Sequence, residues 1–198
     1  MTLELMQPGC LYHVYNHAVG KDNLFLSHDN YSYFLSRYEF FIPAVAETYA
    51  FSLLPNHVHF LIEVRTDVCL PTASKLDVPQ FVSRQFASLF SSYSQAFNKQ
   101  QNRRGNLFMS RFRRELVDSD EYISNLIRYI HLNPTNHGLL NDFRDWKYSS
   151  YETICSSENT FLSREKVISW FGNLDEFKDA HFQEETHLVQ RFEPDENV

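Results

Sequence analysis

The segment that most constrains this chain runs Asn56-His57-Val58-His59-Phe60-Leu61-Ile62-Glu63-Val64. Side chains of an extended strand alternate between its faces. Val58, Phe60, Ile62 and Val64 therefore share one face, and His57, His59, Leu61 and Glu63 share the other. A strand of this kind needs a sheet with one face packed on a core. Pro55-Asn56 is a tight connection, and Tyr49–Leu54 before it reads as an antiparallel partner, so the two form a hairpin. Cys10–Ala18 also alternates and is rich in aromatics. Phe112–Val117 reads as a fourth, short strand.

Two helices are spaced between these strands. Tyr31, Phe34, Leu35, Tyr38 and Phe41 recur at helical intervals, with Asp29 or Asn30 as the cap and Pro43 as the stop. After a long loop over 65–80, Val82, Phe86, Leu89, Phe90, Tyr93 and Phe97 form the clearest apolar stripe in the chain, opposite a side of Ser, Gln and Arg. Asp77 and Pro79 mark the start of that helix. The order strand, helix, strand, strand, helix, strand predicts an α+β, ferredoxin-like βαββαβ fold: an antiparallel sheet with two helices on one face and the other face free. A further helix opens at a capping box formed by Asp118 and Glu121. Proline should end or kink it at Asn133-Pro134. Gly138 marks a turn. Residues 147–190 are helical and irregular, and the last eight residues are polar and expected to fray. The expected organisation is a domain over 1–150 and an acidic helical extension over 151–198.

Length and composition agree. A chain of 198 residues suits one domain with an appendage. With 43% AVILMFWYC and 22% charged residues it is neither disordered nor collagen-like. No apolar run approaches the ~18–20 residues of a membrane span. Met1–Leu5 carries an acid and no basic region, which argues against a secretory signal. Cys10, Cys69 and Cys155 are too scattered for a disulfide framework or a zinc site, so a reducing cytoplasm is the expected compartment. The net charge of −7 argues at first against nucleic acid, but it is unevenly spread. Residues 1–150 hold 14 basic and 14 acidic residues, and 151–198 hold 4 and 11. Residues 99–114 carry Lys99, Arg103, Arg104, Arg111, Arg113 and Arg114 with no acid. That segment is either a solvated loop or a phosphate-binding surface.

Two constellations carry chemistry. His57 and His59, two apart on one strand face, can reach one divalent cation together; two solvent-facing histidines would explain the pattern equally well. In Arg128-Tyr129-Ile130-His131-Leu132-Asn133-Pro134, helical spacing puts Tyr122, Leu126, Tyr129 and Asn133 along one face. A tyrosine can attack phosphorus if a metal, base or water overcomes its high pKa, and Tyr129 can equally be a core aromatic. Tyr122 is the fallback nucleophile. His131 points about 200° away from Tyr129 and reads as structural. His13 and His17 lie beside the candidate site or behind it. Glu63 shares the histidine face and could assist a metal or water.

His-Val-His after Pro-Asn, followed by Tyr-x-x-x-Asn in a YIHLNP context, resembles the single-tyrosine HUH transposases, and most closely the REP-associated tyrosine transposases. Tyr12–Asn16, Gly105–Phe108 with Arg111-Phe112, Gly138–Leu140 and Trp146–Tyr151 extend the resemblance over about residues 9–152. It implies that His57, His59 and Asn133 hold a divalent metal, Mg²⁺ or Mn²⁺, and that Tyr129 is the nucleophile. The implied activity is single-stranded DNA cleavage and strand transfer through a 5′-phosphotyrosine, on single-stranded or hairpin DNA. Arg103, Arg104, Arg111, Arg113 and Arg114 would grip phosphates. Thr135–His137 departs from the small and basic residues that relatives carry before the glycine. The expected protein is cytoplasmic, without membrane attachment, and a monomer or homodimer. Two other readings stand beside it: a domesticated relative that binds DNA hairpins without cutting, and an RNA-binding ferredoxin-like domain, for which no RNP1-type segment is present.

Overall fold

In the computed structural model, which describes residues 4–183 apart from the side chains of residues 120 and 121, the elements follow the expected order. They are β1 (Leu11–His17), α1 (His28–Phe41), β2 (Ala46–Leu53), β3 (His57–Val64), α2 (Val78–Gln100), β4 (Arg113–Val117) and α3 (Asp120–Asn136). A 3-10 turn at Phe143–Asp145 and α4 (Tyr151–Cys155), α5 (Arg164–Phe171) and α6 (Leu174–Ala180) complete the chain. The four-stranded sheet has the order β2-β3-β1-β4, with every neighbouring pair antiparallel. This is the ferredoxin-like arrangement. The last part of the acidic extension, residues 184–198 with the expected frayed terminus, lies outside the described residues.

One sheet face packs on α1 and α2. Phe60 of β3 stacks on Tyr38 and Phe34 of α1, with ring centroids 4.6 and 6.2 Å away. Phe86, Leu89, Phe90 and Tyr93 of α2 are buried in the same core. Each such side chain contributes about 1.5–3 kcal/mol by leaving water. Asp77 closes a full capping box with Gln80 at the start of α2. The opposite face is not free: α3 lies across β2 and β3 there, and the extension packs behind α3. No helix among the described residues is long and apolar enough to cross a membrane.

Three local expectations are corrected. Helix α1 starts after Ser27, because Asn30 lies inside it and turns its Oδ1 back to accept from the Leu26 N–H at 3.0 Å. Helix α3 is capped by Ser119 rather than Asp118, through Ser119 Oγ accepting from the Tyr122 N–H. Pro134 does not end α3. It sits in the final turn, where the missing N–H removes a single helical bond, and the His137 N–H closes the end onto the Asn133 carbonyl.

Candidate active site

Strand β3 delivers His57 and His59 as the alternation predicts, on the face away from α1 and α2. They are not solvent-facing: α3 buries them to 2% and 1% exposure. Tyr129 and Asn133 come down from α3 onto the same spot and are equally buried. The Tyr129 ring lies edge-on to His59, with centroids 5.6 Å apart. Tyr122 is seven residues earlier, about 10.5 Å back along the helix axis. Asn133 Oδ1 faces His57 Nε2 at 3.1 Å.

β1 adds residues that the sequence left undecided. It is the strand hydrogen-bonded to β3, and His13 pairs with Leu61 and His17 with His57 in the register. His13 Nε2 and His59 Nδ1 share a hydrogen bond of 2.9 Å. His17 stacks on His57 at 4.8 Å. Tyr15 stacks on His59 at 5.8 Å and donates to Glu115 Oε1 of β4. His137, just past α3, contacts the His57 ring at 4.8 Å. Cross-strand register was the signal for His13 and His17, and it needed the strand order to be known. Glu63 stands apart, at the other end of β3, where its carboxylate accepts from the Tyr49 hydroxyl.

Burial fixes the protonation of this cluster. Desolvation, reinforced by neighbouring His17, pushes His57 down to about 3. Burial likewise pushes His13 to about 3, and burial with the adjacent His57 holds His59 well below the usual range. Neutral imidazoles are the form that ligates metals. Burial and the Glu115 carboxylate raise Tyr15 far above an ordinary phenol.

Hydrogen-bond direction then tests whether the residues suit a cation. Asn56 Oδ1 can only accept, so the 2.9 Å contact makes His57 Nδ1 the donor. His57 Nε2 is then a bare lone pair, and it faces another acceptor, Asn133 Oδ1. The Asn133 Nδ2 is buried without a hydrogen-bond partner. With the Asn133 amide oxygen and nitrogen exchanged, Nδ2 would donate to His57 Nε2, so the 3.1 Å contact accommodates a plain hydrogen bond as well as two ligands of one cation. Adjacent ligands of an octahedral ion at ~2.1 Å sit about 3 Å apart, so the spacing of His57 Nε2 and Asn133 Oδ1 matches two ligands of one divalent ion. A bond running from His59 Nδ1–H to His13 would leave the His59 Nε2 lone pair available as well. Among the described residues no three His, Cys, Asp or Glu side chains form a metal-holding group.

The five candidate arginines separate. The Arg103 guanidinium is engaged by Asp22 and by Asn98 Oδ1. Arg104 is exposed. Arg113, opposite Tyr15 in the register, is exposed on the histidine face. Arg114 is opposite Val14 on the other face, buried, and donates to Ser83 Oγ of α2. Arg111 is exposed on that same side.

Behind α3 lies a second histidine cluster. His131, as expected, points away from the site. Its Nε2 is 2.7 Å from Ser150 Oγ and its Nδ1 is 2.8 Å from His181 Nε2. His181 Nδ1 donates to the Phe177 carbonyl at 2.7 Å. The extension thus grips the back of the helix that carries Tyr129.

No family model matches the chain. Over 117 residues the chain is 28% identical to a Haemophilus influenzae protein named as a REP-associated tyrosine transposase, covering 57% of this chain. The chain spans only 62% of that relative's length. A solved structure of a REP-associated tyrosine transposase bound to a REP hairpin shares the fold with a TM-score of 0.60 at 14% identity, over 81% of this chain and 88% of that one. The sequence comparison bears out the resemblance to the REP-associated tyrosine transposases, and the structural comparison bears out the fold.

Proposed function

We propose that this chain, a relative of the REP-associated tyrosine transposases by sequence and by fold, binds single-stranded or hairpin DNA and cuts and rejoins it through Tyr129. One observation carries the proposal: Tyr129 and Asn133 of one helix meet His57 and His59 of one strand in a single buried spot, with Asn133 3.1 Å from His57 Nε2 and the Tyr129 ring edge-on to His59.

His57, His59 and Asn133 would hold a divalent ion, Mg²⁺ or Mn²⁺, which supplies Lewis-acid stabilisation of charge on the scissile phosphate. The Tyr129 oxygen attacks the phosphorus in line and gives its proton to water. The bond from phosphorus to the 3′ oxygen breaks, and that oxygen leaves as a 3′-OH. A 5′-phosphotyrosine remains. Attack by another 3′-OH reverses the step and frees Tyr129, so the bond energy is retained and no nucleotide cofactor is consumed. The strand register holds the histidines, and the helix sets the height of Tyr129 above them.

The test is a covalent-adduct assay. Purified protein is mixed with 3′-labelled single-stranded and hairpin oligonucleotides, including a random pool and the DNA flanking the gene, with Mg²⁺ or Mn²⁺, and resolved on a denaturing gel. The label should move to protein mass in wild type. It should be lost by 10³-fold or more in Tyr129→Phe and in His57→Ala, which remove groups acting at the reacting phosphate. A second reading, hairpin binding without cutting, is favoured by the burial of Tyr129 at 1% exposure. Binding with no adduct under any metal would select it.

A further inference from the structure

A groove of about 760 Å³ runs between α2 and the 105–112 loop, on the sheet face opposite the histidines. Its wall on α2 is the polar side of that helix, including Arg84, Ser91 and Gln95. Arg111 and Arg114 line the other wall, and no Asp or Glu among the described residues lines it. Arg114 is 8% exposed, has no ion-pair partner among the described carboxylates, and its buried Nε has no hydrogen-bond partner. Its contacts are Ser83 Oγ and the face of Phe112, at 4.9 Å. Glu4 acts on this guanidinium electrostatically but makes no contact ion pair with it, so its charge is only partly compensated. Half-buried Phe112 and exposed Met109 offer apolar surface beside it, suited to base faces.

The groove ends at β4, the outer strand of the sheet. Arg113 and Arg114 are consecutive there and project to opposite faces, Arg113 beside Tyr15 and Arg114 against α2. A polyanion lying in the groove therefore has to cross only one strand to reach the histidine face, with arginine on both sides of the crossing. We propose that the single-stranded flank of the DNA substrate lies in this groove and passes over the β4 edge into the Tyr129 site. Arg84, Arg111 and Arg114 contact its phosphates on the far side, and Arg113 receives it on the near side. This rests on the DNA-binding reading above and extends the contact surface to α2.

Fluorescently labelled hairpins with no flank, a 5′ flank or a 3′ flank test it by titration across a salt series. Arg84→Ala and Arg111→Ala lie on exposed positions and should leave the fold intact. Each should weaken a flanked hairpin by about 3–10-fold at low salt and lower the slope of log K against log salt by about 0.7, the value for one lost single-strand phosphate contact. Ser91→Glu should weaken it further by placing a carboxylate in the groove. The unflanked hairpin should be bound as by wild type, and Lys75→Ala, an exposed charge outside the groove, should change neither. Unchanged flanked binding in the Arg84→Ala, Arg111→Ala double variant would overturn the groove while leaving the functional proposal intact. Equal losses for flanked and unflanked hairpins would overturn the assignment to a single strand. If wild type binds none of these DNAs, the functional proposal fails and the groove with it.

Discussion

Helix α3 separates two buried histidine clusters that solve the same chemical problem in opposite ways. Behind the helix, direction is determined throughout. The Phe177 carbonyl can only accept, so His181 donates from Nδ1 and accepts at Nε2. His131 must then donate from Nδ1 and present Nε2 as the nearer acceptor, at 2.7 Å, for the Ser150 hydroxyl, which also reaches the Phe51 carbonyl at 3.2 Å and takes the Phe51 N–H. Every ring nitrogen in that chain has a partner of the right kind. In front of the helix the contacts do not close in the same way: His57 Nε2 faces Asn133 Oδ1, and Asn133 Nδ2 and His13 Nδ1 are buried without a hydrogen-bond partner. Burial and residue type are alike in the two clusters. What differs is closure: a chain that satisfies itself serves packing, and one that stops short of closing is prepared for a third party.

The largest effect expected from this contrast is on the closed side. His131→Leu leaves His181 Nε2 without a partner in the core and empties part of the ring's space, and should destabilise the protein by about 2–4 kcal/mol, read by denaturant unfolding. A loss below ~0.5 kcal/mol would mean that the back chain does not hold the helix. Acid should come next. His181 is held near 4 by burial, against 6.5 for a free imidazole. The unfolded chain therefore takes up the proton first as pH falls. Stability is complete above about pH 6.5 and declines toward pH 4, at up to ~1.4 kcal/mol per pH unit for this group. In His181→Gln the unfolding free energy should fall less steeply over that window; an identical slope would assign the acid sensitivity elsewhere. The smallest effect belongs to the open side. Asn133→Leu removes one of two facing acceptors, so in EDTA it should be neutral or stabilising by less than ~1 kcal/mol. Mn²⁺ should raise the melting temperature of wild type and not that of the variant. Marked destabilisation in EDTA would show that Asn133 is a packing residue after all.

The sequence was most informative where one periodicity governs one element. The alternation in β3 placed His57 and His59 on a common face, and the stripe in α2 named its buried residues and the Asp77 start. It was least informative where a side chain's role depends on a distant neighbour. His13 could not be assigned until β1 was seated against β3. Asn30 reads as a cap from its residue type, whereas its hydrogen bond from the Leu26 N–H becomes visible only once the helix is built. Pro134 looked like a terminator because its cost depends on how many turns follow it, and here almost none do. The basic segment read as one patch, yet strand pleating sends Arg113 and Arg114 to different faces. The direction of each histidine hydrogen bond lies beyond any linear pattern, since it is set by a carbonyl or amide oxygen at the end of a chain of contacts.

Tyr129 is 1% exposed, enclosed between the sheet and its own helix. A phosphodiester cannot approach its hydroxyl without first making room. On the proposed function, substrate entry and displacement of α3 become a single event, and the helix acts as a door whose hinge side is fastened by His131 and the extension. Turnover would then be timed by how fast that door swings and not by the bond-breaking step. Solvent viscosity should slow cutting more than it slows the first collision with DNA, and a loosened fastening would make the enzyme quicker and less discriminating.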